Sequence, residues 1–137
     1  YIKAVTAGQL LSEVSSQSIT PLGVSLKPLS PVLASADRSG SDTVLAWHRR
    51  SRLSSRITGP LAWSHPLGEA AEVYEIDVYA DGSYASIVRT ISASDSTVTY
   101  TSADQTTDFG SPPTTLYLDI YQISATVGRG YALRAAV

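Results

Sequence analysis

Apolar and polar residues alternate in short runs along most of the chain, with the two-residue period of a β-strand. In the segment 43–48, Thr43, Leu45 and Trp47 share one face, and the opposite face carries smaller or polar residues. In the segment 74–79, one face is apolar, and Glu75 and Asp77 lie on the other. The pattern predicts two strands that bury one face each, with Trp47 in the core.

Further runs of β-forming residues are separated by Gly, Asp and Ser, which favour turns. These runs cover residues 31–42, 83–92, 96–101 and 116–127, followed by a final run at 131–137. Gly128 and Gly130 predict a tight reversal before that last run, because glycine tolerates a positive φ. The number and spacing of the runs predict an all-β fold, a sandwich of about seven strands.

Residues 102–110 break the two-residue period. Ser102 and Gln105 have the spacing of a capping box, in which each side chain binds a backbone N–H near the other. Gly110 suits the left-handed residue that ends a helix. The segment therefore predicts one short helical turn, held to the core by Phe109.

The first 30 residues have a different composition. They are rich in Ser, Pro and Gly, and Pro21, Pro28 and Pro31 each disfavour helix in the preceding residue. We expect residues 1–30 to form an extended arm or linker at the end of an upstream domain, and residues 31–137 to form the β-sandwich. The absence of methionine favours a C-terminal fragment of a larger polypeptide.

Overall composition narrows the function. Charged residues make up 16% of the 137 residues and hydrophobic residues 43%, which is typical of a folded globular chain. No apolar run is long enough to span a bilayer, so we expect no membrane insertion. A net charge of −2 provides no general attraction for nucleic acid, and the absence of cysteine excludes disulfides and thiolate chemistry.

A cluster of arginines is the first candidate for binding a partner. It consists of Arg49, Arg50, Arg52 and Arg56. Guanidinium groups bind phosphates and carboxylates with paired hydrogen bonds, so the cluster suits an acidic partner. The competing interpretation, which we favour, is a solvated loop whose charge is balanced by acidic residues of the next strand region: Glu69, Glu72, Glu75 and Asp77.

Trp63 is the second candidate, because it lies between Gly and Pro residues in a predicted loop. An exposed indole there would stack on a sugar or contact a protein partner. Five tyrosines extend such a surface in the same interpretation: Tyr79, Tyr84, Tyr117, Tyr121 and Tyr131. The alternative, which we favour, is that Trp63 folds over the open edge of the sandwich.

Catalytic and metal-binding patterns are weak. Glu75 and Asp77 point the same way on a strand, as paired carboxylates of a glycosidase would, but such charges are ordinary on the outer face of a sheet. His48 and His65 lie in none of the usual metal-site or nucleophile motifs. We therefore predict a non-enzymatic protein with no catalytic residue, metal or cofactor.

Three segments resemble fibronectin type III domains, which have seven strands in two packed sheets. They are LAW at 45–47, YEIDVY at 74–79 and a late strand that runs into GRG at 128–130. The resemblance covers residues 31–137 and implies an immunoglobulin-like sandwich. Leu116 stands where the family usually has Tyr, and the longer stretch before Gly128 predicts a bulge near Ser124.

A narrower resemblance joins five segments in order: 25–32, 45–52, 66–79, 99–110 and 122–130. Together they are similar to the C-terminal part of hub or tip-attachment proteins of siphophage-like tails and gene transfer agents. The resemblance implies a structural protein at the distal tail tip of a virion. Its expected partners are other tail-tip proteins, further copies of itself and a host-surface glycan or protein. The alternative is a fibronectin-like spacer or carbohydrate-binding module of a secreted bacterial glycosidase.

Overall fold

A computed structural model of the chain describes residues 1–20, 23–52 and 66–137. It contains a short 3₁₀ helix, Val24–Leu26, and one α-helix, α1, Ser102–Phe109. The strands are β1 Val32–Asp37, β2 Thr43–His48, β3 Tyr74–Tyr79, β4 Ile87–Ala93, β5 Thr97–Tyr100, β6 Tyr117–Ser124, β7 Gly128–Arg129 and β8 Leu133–Ala136. No helix in these ranges is both long and apolar enough to cross a bilayer.

The strands form two antiparallel sheets. The first has the order β1-β2-β5. In the second, β4 pairs with β3 and β3 with β6, and both β7 and β8 pair with the far side of β6. Counted as one interrupted strand, β7 and β8 bring the described total to seven. This confirms the predicted all-β sandwich of about seven strands.

The interruption in the last strand results from one extra residue. Ile120 pairs with Leu133, and Ile123 pairs with Arg129, so three steps along β6 oppose four steps along the returning chain. Ser124 pairs regularly with Gly128. The irregularity predicted near Ser124 therefore lies on the opposite strand, at residues 130–132.

The space between the sheets is filled by the predicted faces. Trp47 is 3% exposed, and its ring meets the ring of Tyr74 edge to face at 5.1 Å between centroids. The other core side chains include Leu45, Ile76, Val78, Tyr100, Leu116, Leu118 and Ile120. Alternation along β2 and β3 correctly predicted the side chains that face the core between the sheets. The outer face of β3 was predicted to be exposed, but Asp77 and Tyr79 on that face are also buried, because arginine and tyrosine side chains cover them.

The helix lies where it was predicted, with a different cap. Thr101 is the N-cap, because its backbone is extended and its side chain accepts a hydrogen bond from Asp104 N. Gln105 is buried instead of capping, and its amide donates to the Tyr100 carbonyl at 2.8 Å. Gly110 ends the helix at φ 80°, and Phe109 packs against the core, as predicted.

The segment that precedes the sandwich reverses on itself. Ile2 and Gln17 exchange two backbone hydrogen bonds, at 2.8 and 2.9 Å. Most side chains of residues 1–20 are exposed, including Tyr1, Leu10 and Leu11. This part of the chain forms a loop rather than one extended run.

Candidate functional site

The arginine cluster follows directly after β2, and two of its members are paired with glutamates. Arg49 Nη1 lies 2.6 Å from Glu72 Oε2, and Arg52 Nε lies 3.0 Å from Glu69 Oε1. Both glutamates belong to the segment that leads into β3, as the balanced-charge interpretation predicted. Glu75 and Asp77, which that interpretation also included, pair elsewhere.

The remaining candidates of this region are placed differently. Arg50 is exposed. Arg56, Trp63 and His65 lie outside the described residues. The predicted contact of Arg56 and Trp63 with a partner or glycan therefore stays a prediction. The structure brings Arg49 and Arg52 next to acidic side chains, and this arrangement leaves less positive charge for an external partner.

The Arg49–Glu72 pair connects to the core. Glu72 Oε1 accepts a hydrogen bond from the Tyr74 hydroxyl at 2.9 Å. Burial raises the pKa of Tyr74, and the hydrogen bond to Glu72 adds to this effect. In the described part of the chain, Nε1 of neighbouring Trp47 is buried without a hydrogen-bond partner. This end of the sandwich is therefore held by one chain of side-chain contacts that runs from the surface to the indole.

The carboxylate pair of β3 is bound by one arginine. Arg129 Nε lies 2.6 Å from Glu75 Oε2, and Arg129 Nη1 lies 2.5 Å from Asp77 Oδ2. The Asp77 side chain is 2% exposed and also accepts a hydrogen bond from Thr90 at 2.7 Å. A carboxylate that is buried and fully bonded is poorly placed to exchange protons with a substrate. The geometry favours a structural role for this pair.

A second buried aspartate lies directly opposite the first. Asp77 of β3 pairs in register with Asp119 of β6. Two like charges at that spacing repel each other unless each has its own cation. Arg134 of β8 binds Asp119 through Nε at 2.9 Å and Nη2 at 2.7 Å, as Arg129 binds Asp77. These four residues form what we call the outer-face ladder of the second sheet.

Tyrosines surround the ladder. The Arg129 guanidinium lies 4.6 Å from the centre of the Tyr121 ring, and that of Arg134 lies 4.1 Å from the centre of the Tyr84 ring. The Tyr79 hydroxyl donates to Asp119 at 3.0 Å. Burial and this hydrogen bond raise the pKa of Tyr79 to about 12. Each guanidinium is thus held between a carboxylate and an aromatic face.

The sequence indicated the tyrosines of this surface but not its arginines. Alternation places Tyr79, Tyr117 and Tyr121 on the outer face of the sheet, where Tyr117 and Tyr121 are half-buried and Tyr79 is buried. Arg129 and Arg134 reach the aspartates only because β7 and β8 flank β6 in one particular register. The sequence did contain one signal, because β3 and β6 each carry an aspartate among outward positions. If these two strands pair, the aspartates need positively charged side chains nearby.

The described ranges contain no cluster of side chains that could bind a metal ion. No group of three or more His, Asp or Glu side chains there has the geometry of a metal site. His48 is exposed at the end of β2.

The segment 23–31 docks against the last strand of the sandwich. The Pro28 carbonyl accepts a hydrogen bond from Tyr131 N at 3.0 Å, and Lys27 Nζ lies 5.7 Å from the Tyr131 ring centre. Gly130 allows this approach, since a Cβ there would lie 2.7 Å from the Pro28 oxygen. The chain therefore enters β1 along a fixed path.

The strand order defines the class of fold. A sheet of β1, β2 and β5 faces a sheet of β3, β4, β6 and the interrupted strand β7–β8, which is the fibronectin type III-like arrangement of a β-sandwich. The structure is similar to the FN5 domain of Drosophila Lar, with 14% identity over 80% of this chain and 94% of that one and a TM-score of 0.46. The sequence matches no protein-family model. It also matches no curated protein.

Proposed function

We propose that the chain is a non-catalytic structural module of a phage-like tail tip, where a rigid sandwich serves assembly and host attachment. The sequence support is the ordered set of five segments that resembles the C-terminal part of tail hub proteins. Fibronectin type III-like sandwiches suit such a role, because they present loops from a fixed scaffold.

The docked linker is the observation that best supports a positioning role. A module that sets the direction of its neighbours needs a rigid entry path. Pro28, Gly130 and Tyr131 hold that path through a backbone hydrogen bond and a contact that leaves no space for a side chain. A preceding part of a hub would thus meet the sandwich at a defined angle.

The ion pairs support a non-catalytic role. Glu75 and Asp77, the carboxylates considered for glycoside hydrolysis, are both bound by Arg129. Glycosidases need one free acid and one free base or nucleophile at a cleft. The outer-face ladder instead fixes β7 and β8 to the rest of the sheet.

The proposal includes partners and a location. The partners are other hub or baseplate proteins, further copies of the chain, and a host-surface glycan or protein. Host contact would use Trp63 and Arg56 together with Arg49, Arg50 and Arg52. The location is the distal tail tip of a virion, or the extracellular space after release. Neither a cofactor, nucleic acid nor membrane insertion is part of it.

Electron microscopy of particles tests this proposal. Antibodies raised against the chain are applied to tail particles purified from producing cells, with gold labels for detection. We expect the label at the distal tip and no label along the tail tube. Detection only in the secreted fraction that lacks particles would contradict the proposal.

The carbohydrate-binding alternative makes a different prediction. It requires glycan binding that disappears in Trp63→Ala and persists in Arg49→Gln. Glycan-array measurements on the wild type and both variants test this alternative, and a wild type that binds no glycan contradicts it. Because the tail-tip proposal also includes a host-surface glycan as a partner, the particle labelling described above separates the two functions.

A further inference from the structure

In the part of the chain that the structure describes, two open sheets leave four sheet edges. Exposed edges pair with other chains unless some feature prevents it. Three of the described edges carry such features. In β1 the register shifts between Val32 and Ser35, and Leu33 has φ 57°. In β4 the register also shifts, and the strand carries Arg89. The edge formed by β7 and β8 is interrupted and carries Arg134.

The fourth edge, β5, has none of these features. Its sequence, Thr-Val-Thr-Tyr, contains no charge and no proline, and all three residue types favour strands. Its pairing with β2 is regular throughout, from Thr43↔Tyr100 to Ala46↔Thr97. β5 is therefore a flat, uncharged edge, the kind that accepts another strand.

The hydrogen-bond pattern shows which groups of β5 are open. Trp47 N donates to Ser96 O at 3.0 Å, in the same register as the strand pairs. Bonded and non-bonded pairs alternate in an antiparallel ladder, so Val98 and Tyr100 bond to β2. The N–H and C=O groups of Thr97 and Thr99 then point away from β2. Among the described residues, no backbone hydrogen bond reaches these groups.

We propose that β5 pairs with β5 of a second copy of this chain, antiparallel, with Thr97 of each copy opposite Thr99 of the other. Each copy offers two N–H and two C=O groups at these residues, so the pairing forms four hydrogen bonds and joins two three-stranded sheets into one of six.

The second copy fits because the edge is complementary to itself. With a two-fold axis at Val98, Thr97 of each copy forms a hydrogen-bonded pair with Thr99 of the other copy, so the same pair occurs twice. Opposed threonines are favourable neighbours in sheets. The nearest acidic residue of the turn, Asp95, faces Thr101 of the second copy in this register. No like charges meet along the edge.

The dimer is weak by this geometry. Four residues per copy cover far less than the roughly 800 Å² per partner of a standard interface. We expect association at high micromolar concentrations in solution. Pairing would be much stronger where copies are held side by side, because the effective concentration of one β5 edge near the other is then much higher than in solution.

Two double variants test the register. Thr97→Lys with Thr99→Lys places like charges opposite each other twice, and Thr97→Lys with Thr99→Glu places opposite charges there. The first variant has net charge −2 + 2 = 0 and the second −2 + 1 − 1 = −2, so general repulsion favours the first. Sedimentation equilibrium should give a dimer dissociation constant at least about tenfold larger for Lys/Lys than for Lys/Glu, with wild type near Lys/Glu.

Cross-linking gives an independent measurement, because the natural chain has no cysteine. Mixed under mild oxidation, Thr97→Cys and Thr99→Cys should form the mixed disulfide in preference to either homodimer, since the opposed pair is closer than the diagonal one. Ser92→Cys on exposed β4 is the collision control. A wild type that stays monomeric at about 1 mM would overturn the proposal. Equal association of Lys/Lys and Lys/Glu would also overturn it. It stands apart from the tail-tip function, which particle labelling tests separately.

Discussion

Trp47 is the residue on which the packing between the sheets most depends. It is almost fully buried and contacts Tyr74, yet its Nε1 has no hydrogen-bond partner in the described part of the chain. Its contribution therefore comes from the area and shape of the ring, while the indole N–H opposes burial.

Truncation of Trp47 separates these two effects. Trp47→Ala should lower the free energy of unfolding by about 3–5 kcal/mol, because a large cavity is left. Trp47→Phe keeps an aromatic ring and removes the unsatisfied donor, so it should cost much less. Urea titrations of both variants measure this, with Val44→Ala as the control on the outer face of the same strand. Equal losses for Ala and Phe would contradict a role based on packing.

At Gly128, a side chain would be disfavoured by the backbone conformation alone and not by a steric clash. Gly128 has φ 73°, and a Cβ there would meet no atom within 4 Å. Gly128→Ala should therefore destabilise the protein by about 1–2 kcal/mol through the left-handed conformation only. Gly128→Asn should cost less, because asparagine tolerates this region. Thermal unfolding of the two variants checks the order, and a neutral Gly128→Ala would mean that the residue adopts ordinary β space.

Among the elements, the last strand is held to its sheet by a salt bridge in addition to its backbone pairing with β6. Arg134 of β8 binds Asp119 of β6, and this hydrogen bonding lowers the pKa of Asp119 below its ordinary value. A lowered pKa in the folded state means that the contribution to stability is complete above the unfolded pKa of about 3.9. It is lost as the pH falls through the folded pKa.

Asp119→Asn isolates this contribution. The difference in unfolding free energy between wild type and Asp119→Asn should be largest near neutral pH, and it should shrink as the pH falls below about 3.9. Urea titrations at several pH values measure it, with exposed Asp95→Asn as a control for loss of a surface carboxylate. The lowest pH to be measured is about 2, roughly two units below the unfolded pKa. If the difference in unfolding free energy stays constant down to that pH, the Arg134 contact does not stabilise the ionised form of Asp119.

Local pattern predicted the elements better than it predicted their partners. Alternation identified the side chains of β2 and β3 that face the core, because an apolar face leaves a two-residue signature. It did not indicate that Asp77 lies opposite Asp119, since register depends on turns and on strands distant in sequence. The arginines of the outer-face ladder were missed for the same reason.

The helix cap shows how tertiary contacts decide between equal local choices. Thr101 and Ser102 are both good N-cap residues. Asp42 accepts the Ser102 N–H at 2.8 Å from another element, which leaves Ser102 as the first helical residue and Thr101 as the cap. Gln105 then turns inward to Thr43 and Tyr100. The local sequence therefore predicts the helix, and the contact with Asp42 in the loop before β2 determines which residue begins it.

At the scale of the whole molecule, the docked linker determines how the sandwich is connected to whatever precedes it. Pro28 lies against Gly130, and the Cβ of any other residue at 130 would lie 2.7 Å from the Pro28 oxygen and 3.0 Å from the Gln122 oxygen. Both are backbone atoms, so neither can move without displacing a strand or the linker. The linker is held by fewer contacts than β6 and should move first.

Gly130→Ala should therefore release the linker while the sandwich stays folded. The Tyr131 N–H donates to the Pro28 carbonyl at this contact, so its hydrogen exchange with solvent should become about tenfold faster, which corresponds to about 1.4 kcal/mol of easier local opening. NMR-detected hydrogen exchange measures this rate, and the Ile123 N–H, which donates to the Val73 carbonyl, provides an internal reference. Gly40→Ala, with open surroundings and no positive φ, is the matched control. If Gly130→Ala left the exchange of the Tyr131 N–H unchanged, the linker would not be held by this contact, and the positioning role would lose its structural support.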